Sequence, residues 1–258
     1  MKRFIKVTIL SLMLLNFTSS IRANFSVTPS RMEGDIPAGS EHTGVFTIYN
    51  AYPMDIKVGI QWKDYTISPL SPDWLKIGAE TVDLPSNVTI EVPYTISIPE
   101  NATGGYYARI HFTQVPNKER PSTFIVRYNN PVYVTIPGTQ KYDLKCESPS
   151  AENSKSFGCI FFVTNTSNVH FRIAGTVTVT SLADNKTYTL MINKTRRPLM
   201  PQQMISYTSR IEGNPRLPDG EYSAEFNAYL EEAPDVKWSE SLRFTIKDKD
   251  IQYPSDTE

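Results

Sequence analysis

Residues 88–98 read VTIEVPYTISI, and this stretch decides the fold. Val88, Ile90, Val92, Tyr94, Ile96 and Ile98 fall on one side of an extended chain, and Thr89, Glu91, Pro93, Thr95 and Ser97 fall on the other. A period of two puts every apolar side chain on one face of a β-strand, whereas a helix would scatter them around its circumference. Pro93 has no N–H to give to a ladder, so the strand is expected at a sheet edge or across a bulge.

Outward from this stretch the same period recurs. Ile56, Val58, Ile60 and Trp62 alternate with Lys57, Gly59, Gln61 and Lys63. Further strands are expected at Gly44–Asn50, Tyr106–Val115, Thr123–Tyr128 and Val132–Ile136. A second set is expected at Tyr142–Cys146, Gly158–Asn165, Ile173–Ser181, Lys186–Ile192, Ile205–Ile211, Glu221–Leu230 and Ser241–Lys247. Turn clusters such as Asn101-Ala102-Thr103-Gly104-Gly105 separate them, and nineteen prolines against twelve glycines argue against helix interiors. About seven short strands per half of the chain predict an all-β protein of two consecutive immunoglobulin-like β-sandwich domains.

The two halves also resemble each other. Ile48-Tyr49-Asn50 and Val163-Thr164-Asn165 end matching strands, and Gly105-Tyr106-Tyr107 and Gly220-Glu221-Tyr222 open matching ones. A tyrosine entering the second-to-last strand is the pattern of a tyrosine corner. Chance likeness between two β domains is the competing explanation. Pro137-Gly138 interrupts the pattern where one sandwich would end. Domains are therefore expected at 24–138 and 139–247, with a polar tail at 248–258 that frays.

The first 23 residues are of another kind. Lys2, Arg3 and Lys6 precede an apolar run from Val7 to Phe17, and Ile21-Arg22-Ala23 offers a small residue at a cleavage point. This is the layout of an export signal. The other reading, a membrane anchor, would need about 20 apolar residues. Removing residues 1–23 takes away Lys2, Arg3, Lys6 and Arg22 and no acid, moving the formal charge from −1 to −5. A mildly acidic chain excludes a generic nucleic-acid binder. In an oxidising compartment Cys146 and Cys159 are expected to form a disulfide. Closing a loop of that size contributes about 3 kcal/mol. A metal site there lacks two further ligands at suitable spacing.

No motif announces catalysis. The three histidines, His42, His111 and His170, lie in no metalloprotease pattern, and no nucleophile elbow, phosphate loop or dinucleotide fingerprint occurs. His111 is expected to face solvent or an interface, and His170 to make a local hydrogen bond beside Asn168. Glu231-Glu232 reads as a solvated turn. No catalytic residue, cofactor or metal is expected. Sequons at Asn24, Asn87, Asn101, Asn165, Asn185 and Asn193 fit chance in a chain rich in Asn and Thr.

The export layout, the two sandwiches, the strand ending at Asn50 and the run from Thr123 to Val134 together resemble the periplasmic pilus chaperones and their superfamily. The specific patches are Ser30–Asn50, Pro85–Tyr107 and Asn165–Arg172. That resemblance implies a periplasmic, non-enzymatic protein that assists assembly of a pilus, fimbria or other surface structure. Its partner would be an exported, pilin-like subunit. In such chaperones an arginine on the first strand and a lysine on the last strand of domain one hold the subunit's terminal carboxylate. Arg31 stands where the arginine would be. The region expected to hold the lysine reads Arg127-Tyr128-Asn129-Asn130-Pro131 and leaves only Arg127 as a cation. The resemblance also implies a donor strand offering Phe124, Val126 and Tyr128 to the partner by β-augmentation, although a core strand has the same alternation. The competing function is a structural or adhesive component of the cell envelope, on the cell surface or secreted.

Overall fold

The alternation at residues 88–98 is realised as a strand, Thr89–Ser97, in which Val92, Tyr94 and Ile96 are buried. The computed structural model describes residues 25–117, 124–153, 155–213 and 215–254. The expected export signal at 1–23 and the end of the expected tail lie outside them. In chain order the strands are β1 (Phe25–Thr28), β2 (Met32–Asp35), β3 (Glu41–Asn50), β4 (Ile56–Asp64), β5 (Leu75–Ile77), β6 (Thr81–Leu84), β7 (Thr89–Ser97), β8 (Gly105–Gln114) and β9 (Arg127–Thr135). They continue as β10 (Leu144–Cys146), β11 (Ser150–Glu152), β12 (Gly158–Asn165), β13 (Ile173–Ser181), β14 (Thr187–Met191), β15 (Met204–Arg210), β16 (Gly220–Leu230), β17 (Lys237–Lys247) and β18 (Asp250–Gln252).

These strands build two sandwiches. The sheet β1-β3-β7-β5 packs on the sheet β2-β9-β8-β4-β6 around Phe46, Ile48, Ile96, Ile110 and Phe112. In the second half β12 pairs with β10 and β11 along one edge and with β15 along the other. That sheet packs on β14-β13-β16-β17-β18 around Phe161, Val163, Val177, Phe226 and Leu230. Each such side chain stabilises its sandwich by about 1.5–3 kcal/mol through removal from water.

The internal likeness is physical. Asn50 Nδ2 donates to the carbonyls of Met54 at 2.8 Å and Leu84 at 3.0 Å, while Asn50 Oδ1 accepts from the Tyr52 N–H. Asn165 Nδ2 donates to Val169 at 2.9 Å and Leu199 at 2.8 Å, and its Oδ1 accepts from the Ser167 N–H. Both asparagines are fully buried. Each stitches the same corner of its sandwich, which explains an amide at the end of each strand.

The two tyrosines diverge. Tyr222 closes a tyrosine corner, its hydroxyl donating to Pro218 O at 3.0 Å. Tyr107, in the matching place, reaches into the other sandwich. A Cβ on Gly105 would stand 2.2 Å from the Tyr107 hydroxyl, so the glycine makes the path of that side chain possible.

Several expectations are corrected. Of the expected strand Thr123–Tyr128, Thr123 lies outside the described residues; β9 runs unbroken from Arg127 to Thr135, joining the rest to the expected Val132–Ile136 strand, and Phe124 and Ile125 precede it as exposed chain. Val126 continues the pairing through the Gln114 N–H to Val126 O bond of 3.0 Å. Pro93 sits in a strand paired on both sides, and its carbonyl accepts from Gly78 N at 2.8 Å. Its missing N–H therefore points to the β5 side, where β5 stops. The expected tail is partly structured, since β18 pairs with β17 and the Tyr253 hydroxyl accepts from the Ala151 N–H.

Cys146 and Cys159 are free thiols. Cys146 pairs with Val163, four positions along β12 from Cys159. Four residues of strand span about 13 Å, and a disulfide needs Cα atoms within about 7 Å. Both thiols contribute to the apolar core of the second sandwich instead.

Candidate functional site

The edge of β9 and the ground between the sandwiches form the candidate site. β9 is paired along its whole length with β8, from Thr113↔Arg127 to Gly105↔Thr135. On its other side β2 covers it only from Val132 to Thr135. Among the described residues no strand pairs with Arg127–Pro131 on that side. The Gln114 N–H bonds to Val126 O, and Ile36 N–H to Thr135 O, which fixes the direction of every backbone group between. Val126, Tyr128 and Asn130 turn their polar groups to β8, and Arg127 and Asn129 turn theirs to the open edge. An open edge of this kind is a template for another strand.

The expected donor residues divide. Phe124 is 77% exposed and Ile125 54% exposed. Val126 and Tyr128 pack against the first sandwich's own core. Tyr128 meets Phe25 edge-on at 5.0 Å between ring centres and donates its hydroxyl to Phe25 O at 2.6 Å.

The two expected anchors are not brought together. Arg31 precedes β2 and is level with Pro131, four positions along β9 from Arg127. Arg31 Nε lies 3.2 Å from Glu33 Oε2, and the side chain is 47% exposed. Arg31 and Glu33 also line a cavity of about 260 Å³ with His42 and Tyr94. Arg127 Nε donates to Thr113 Oγ1 at 3.1 Å on the outer face of the sheet.

Sequence reading missed the cluster behind Arg31. Glu33 bonds through Oε2 to Arg172 Nη2 at 2.7 Å and through Oε1 to His170 Nε2 at 3.0 Å, both across the junction of the sandwiches. Glu232 completes it, accepting from Arg172 Nη1 at 2.8 Å and from the Arg172 backbone N–H at 2.7 Å. The hydrogen bond from His170, then burial acting in opposition, then the Arg172 guanidinium set the Glu33 carboxyl, which is held down at about 2. Beside this cluster Tyr107, Tyr133 and Met200 form a small apolar core of their own, with Tyr65 against it. Tyr107 Oη accepts from the His170 N–H at 2.6 Å. Burial, first among its causes, pushes the Tyr107 hydroxyl well above the ordinary tyrosine range.

His170 thus makes a cross-sandwich contact in place of the expected local one. Glu231 and Glu232 are ion-paired, to Arg196 and Arg172, rather than simply solvated. No short sequence signal marks these pairs, because Glu33 and Arg172 are 139 residues apart. Among the described residues no three His, Cys, Asp or Glu side chains gather to hold a metal ion. No helix among them is long and apolar enough to cross a membrane.

No protein-family model and no curated protein matches the sequence. Many solved structures of fimbrial chaperones are similar to it over most of the chain. The SafB chaperone of Salmonella enterica, solved with the SafA pilin, is 12% identical with a TM-score of 0.46, covering 88% of this chain and 98% of that one. The CsuC–CsuE chaperone–tip subunit complex of Acinetobacter baumannii is 12% identical with a TM-score of 0.46, covering 86% and 98%. A chaperone–tip adhesin complex of CFA/I fimbriae is 12% identical with a TM-score of 0.49, covering 85% and 98%. The likeness is one of fold. What those chaperones carry is a property of theirs.

Proposed function

We propose that this protein is an exported, non-enzymatic chaperone that binds a subunit of a surface or fimbrial structure by letting it add a strand to β9. The observation that carries this reading is the half-covered β9 edge. Arg127 and Asn129 aim backbone donors and acceptors outward, next to exposed Phe124 and Ile125. Main-chain pairing supplies affinity in β-augmentation, and side chains at alternate positions supply selectivity. Arg31, at the point where β2 begins, is the cation an arriving chain end would meet, and a guanidinium binds a carboxylate through paired hydrogen bonds. The leader-like first 23 residues support export, with the periplasm as the working compartment.

Co-purification of the full chain from its native compartment tests this. A stable complex with a small exported β-rich subunit is expected. Arg31→Ala and Arg127→Ala together should weaken it by tenfold or more. Unchanged affinity in that double variant would remove the cationic anchor from the account.

A further inference from the structure

The outer face of the β4–β8–β9 sheet carries a file of cations, of which the strand-addition reading uses only Arg127. Lys63 on β4 stands directly opposite Arg109 on β8. His111, two positions further along β8, stands between Gln61 and Asn129, and Arg127 is opposite Thr113. These residues share one face, since their neighbours Ile60, Ile110, Phe112 and Val132 point into the core. Lys63 and Arg127 are exposed, and Arg109 and His111 are half-buried. Among the described residues none of the three cations has a carboxylate partner. Arg109 instead lies over the Tyr65 ring at 4.2 Å.

Like charges directly opposite one another on neighbouring strands are unfavourable. Among the described residues no carboxylate is ion-paired to this file. The face also begins where the tyrosine layer of Tyr65, Tyr107 and Tyr133 ends, so it adjoins the junction of the sandwiches and leads to the open end of β9.

We propose that this face is a second docking surface, which receives an acidic, carboxylate-bearing segment of the protein that adds its strand to β9. The inference rests on the chaperone reading for the identity of its partner, and on Lys63, Arg109 and Arg127 for the chemistry. Complementary charge here steers encounter and selects among subunits, and high salt weakens it. His111 reports the occupancy. Burial first, and then Arg127, Lys63 and Arg109, hold it below the ordinary histidine value. Gln61 and Asn129, the other groups facing it from β4 and β9, are neutral. A bound carboxylate offsets the cations, so binding takes up a proton at His111 and tightens as the pH falls through the histidine range.

The test uses the full chain and two labelled, C-terminally amidated peptides, (Glu-Ala)5 and (Gln-Ala)5, read by fluorescence anisotropy at low and high salt. The glutamate peptide should bind and raise the His111 titration midpoint seen by NMR, and the glutamine peptide should bind at least tenfold more weakly. Lys63→Gln with Arg127→Gln should weaken the glutamate peptide at least tenfold without lowering thermal stability, because the substitutions relieve repulsion. Equal binding of the two peptides, or an unchanged affinity in the double variant, would overturn the proposal. Asn129→Pro separates it from strand addition: it removes an edge-facing N–H and leaves the cations in place. That variant should keep the glutamate peptide and lose the subunit. If it keeps the subunit, strand addition fails while the peptide result still decides the docking surface.

Discussion

Glu33 and Arg172, from different sandwiches, meet at 2.7 Å and share that contact with His170 and Glu232. The Glu33 carboxyl sits at about 2, against its ordinary 4.5. A lowered carboxyl stabilises the folded state above its unfolded value, and that contribution disappears as pH falls from about 4.5 to about 2. With solvent screening allowed for, it amounts to about 1–3 kcal/mol. Acid titration followed by small-angle scattering should therefore show the sandwiches separating in that window. Glu33→Gln should show the separated state already at neutral pH. A profile unchanged by the substitution would take the cluster out of domain docking.

Tyr107 and Gly105 form a coupled pair. Gly105→Ala would drive a Cβ to 2.2 Å from the Tyr107 hydroxyl. Tyr107→Phe removes that hydroxyl and leaves the His170 N–H without its acceptor, at a cost of about 1–3 kcal/mol. Each single variant should lower the melting temperature, and the double variant should lose less than the sum of the two. Simple additivity in thermal unfolding would show that the ring does not constrain the glycine.

The thiols give a chemical prediction. Burial pushes Cys146 and Cys159 up to about 12, so neither is a ready nucleophile. Alkylation of the native protein should be slow at both positions, and complete at both after denaturation without reductant. Failure to alkylate the denatured, unreduced chain would restore the disulfide expected from export alone.

Asn50 and Asn165 should behave alike. Asn50→Ala removes the donor to Met54 O and Leu84 O and the acceptor of the Tyr52 N–H. Asn165→Ala removes the donor to Val169 O and the acceptor of the Ser167 N–H, while Leu199 O keeps the Phe171 N–H. Each should destabilise by several kcal/mol, at about 1–3 kcal/mol for each orphaned group. Chemical denaturation of each variant checks this, and a neutral effect at either position would dissolve the internal repeat as a structural argument.

These paired asparagines show what was legible in the sequence. Alternation at 88–98 and at Gly158–Asn165 set strands and faces because side-chain period is a local property. The strand ends at Asn50 and Asn165, and the Gly-x-Tyr openings at Gly105 and Gly220, marked two copies of one fold. The site was less legible. Arg31 was visible, but the Glu33, His170 and Arg172 cluster around it depends on how the two sandwiches dock, which no local pattern encodes. The cysteines misled for a related reason, since compartment chemistry favours pairing while strand register decides distance. Phe124 and Ile125 read as strand because residues leading into a strand can carry the same alternation as the strand itself.

The open β9 edge is the central claim, and amide hydrogen exchange at Arg127 and Asn129 tests it most directly. In the free protein both N–H groups should exchange quickly, since they point away from β8. In the complex with the co-purified subunit both should slow by tenfold or more, with the flanking Tyr128 and Asn130 amides, already bonded to β8, changing little. A stable complex in which Arg127 and Asn129 exchange as fast as in the free protein would contradict strand addition.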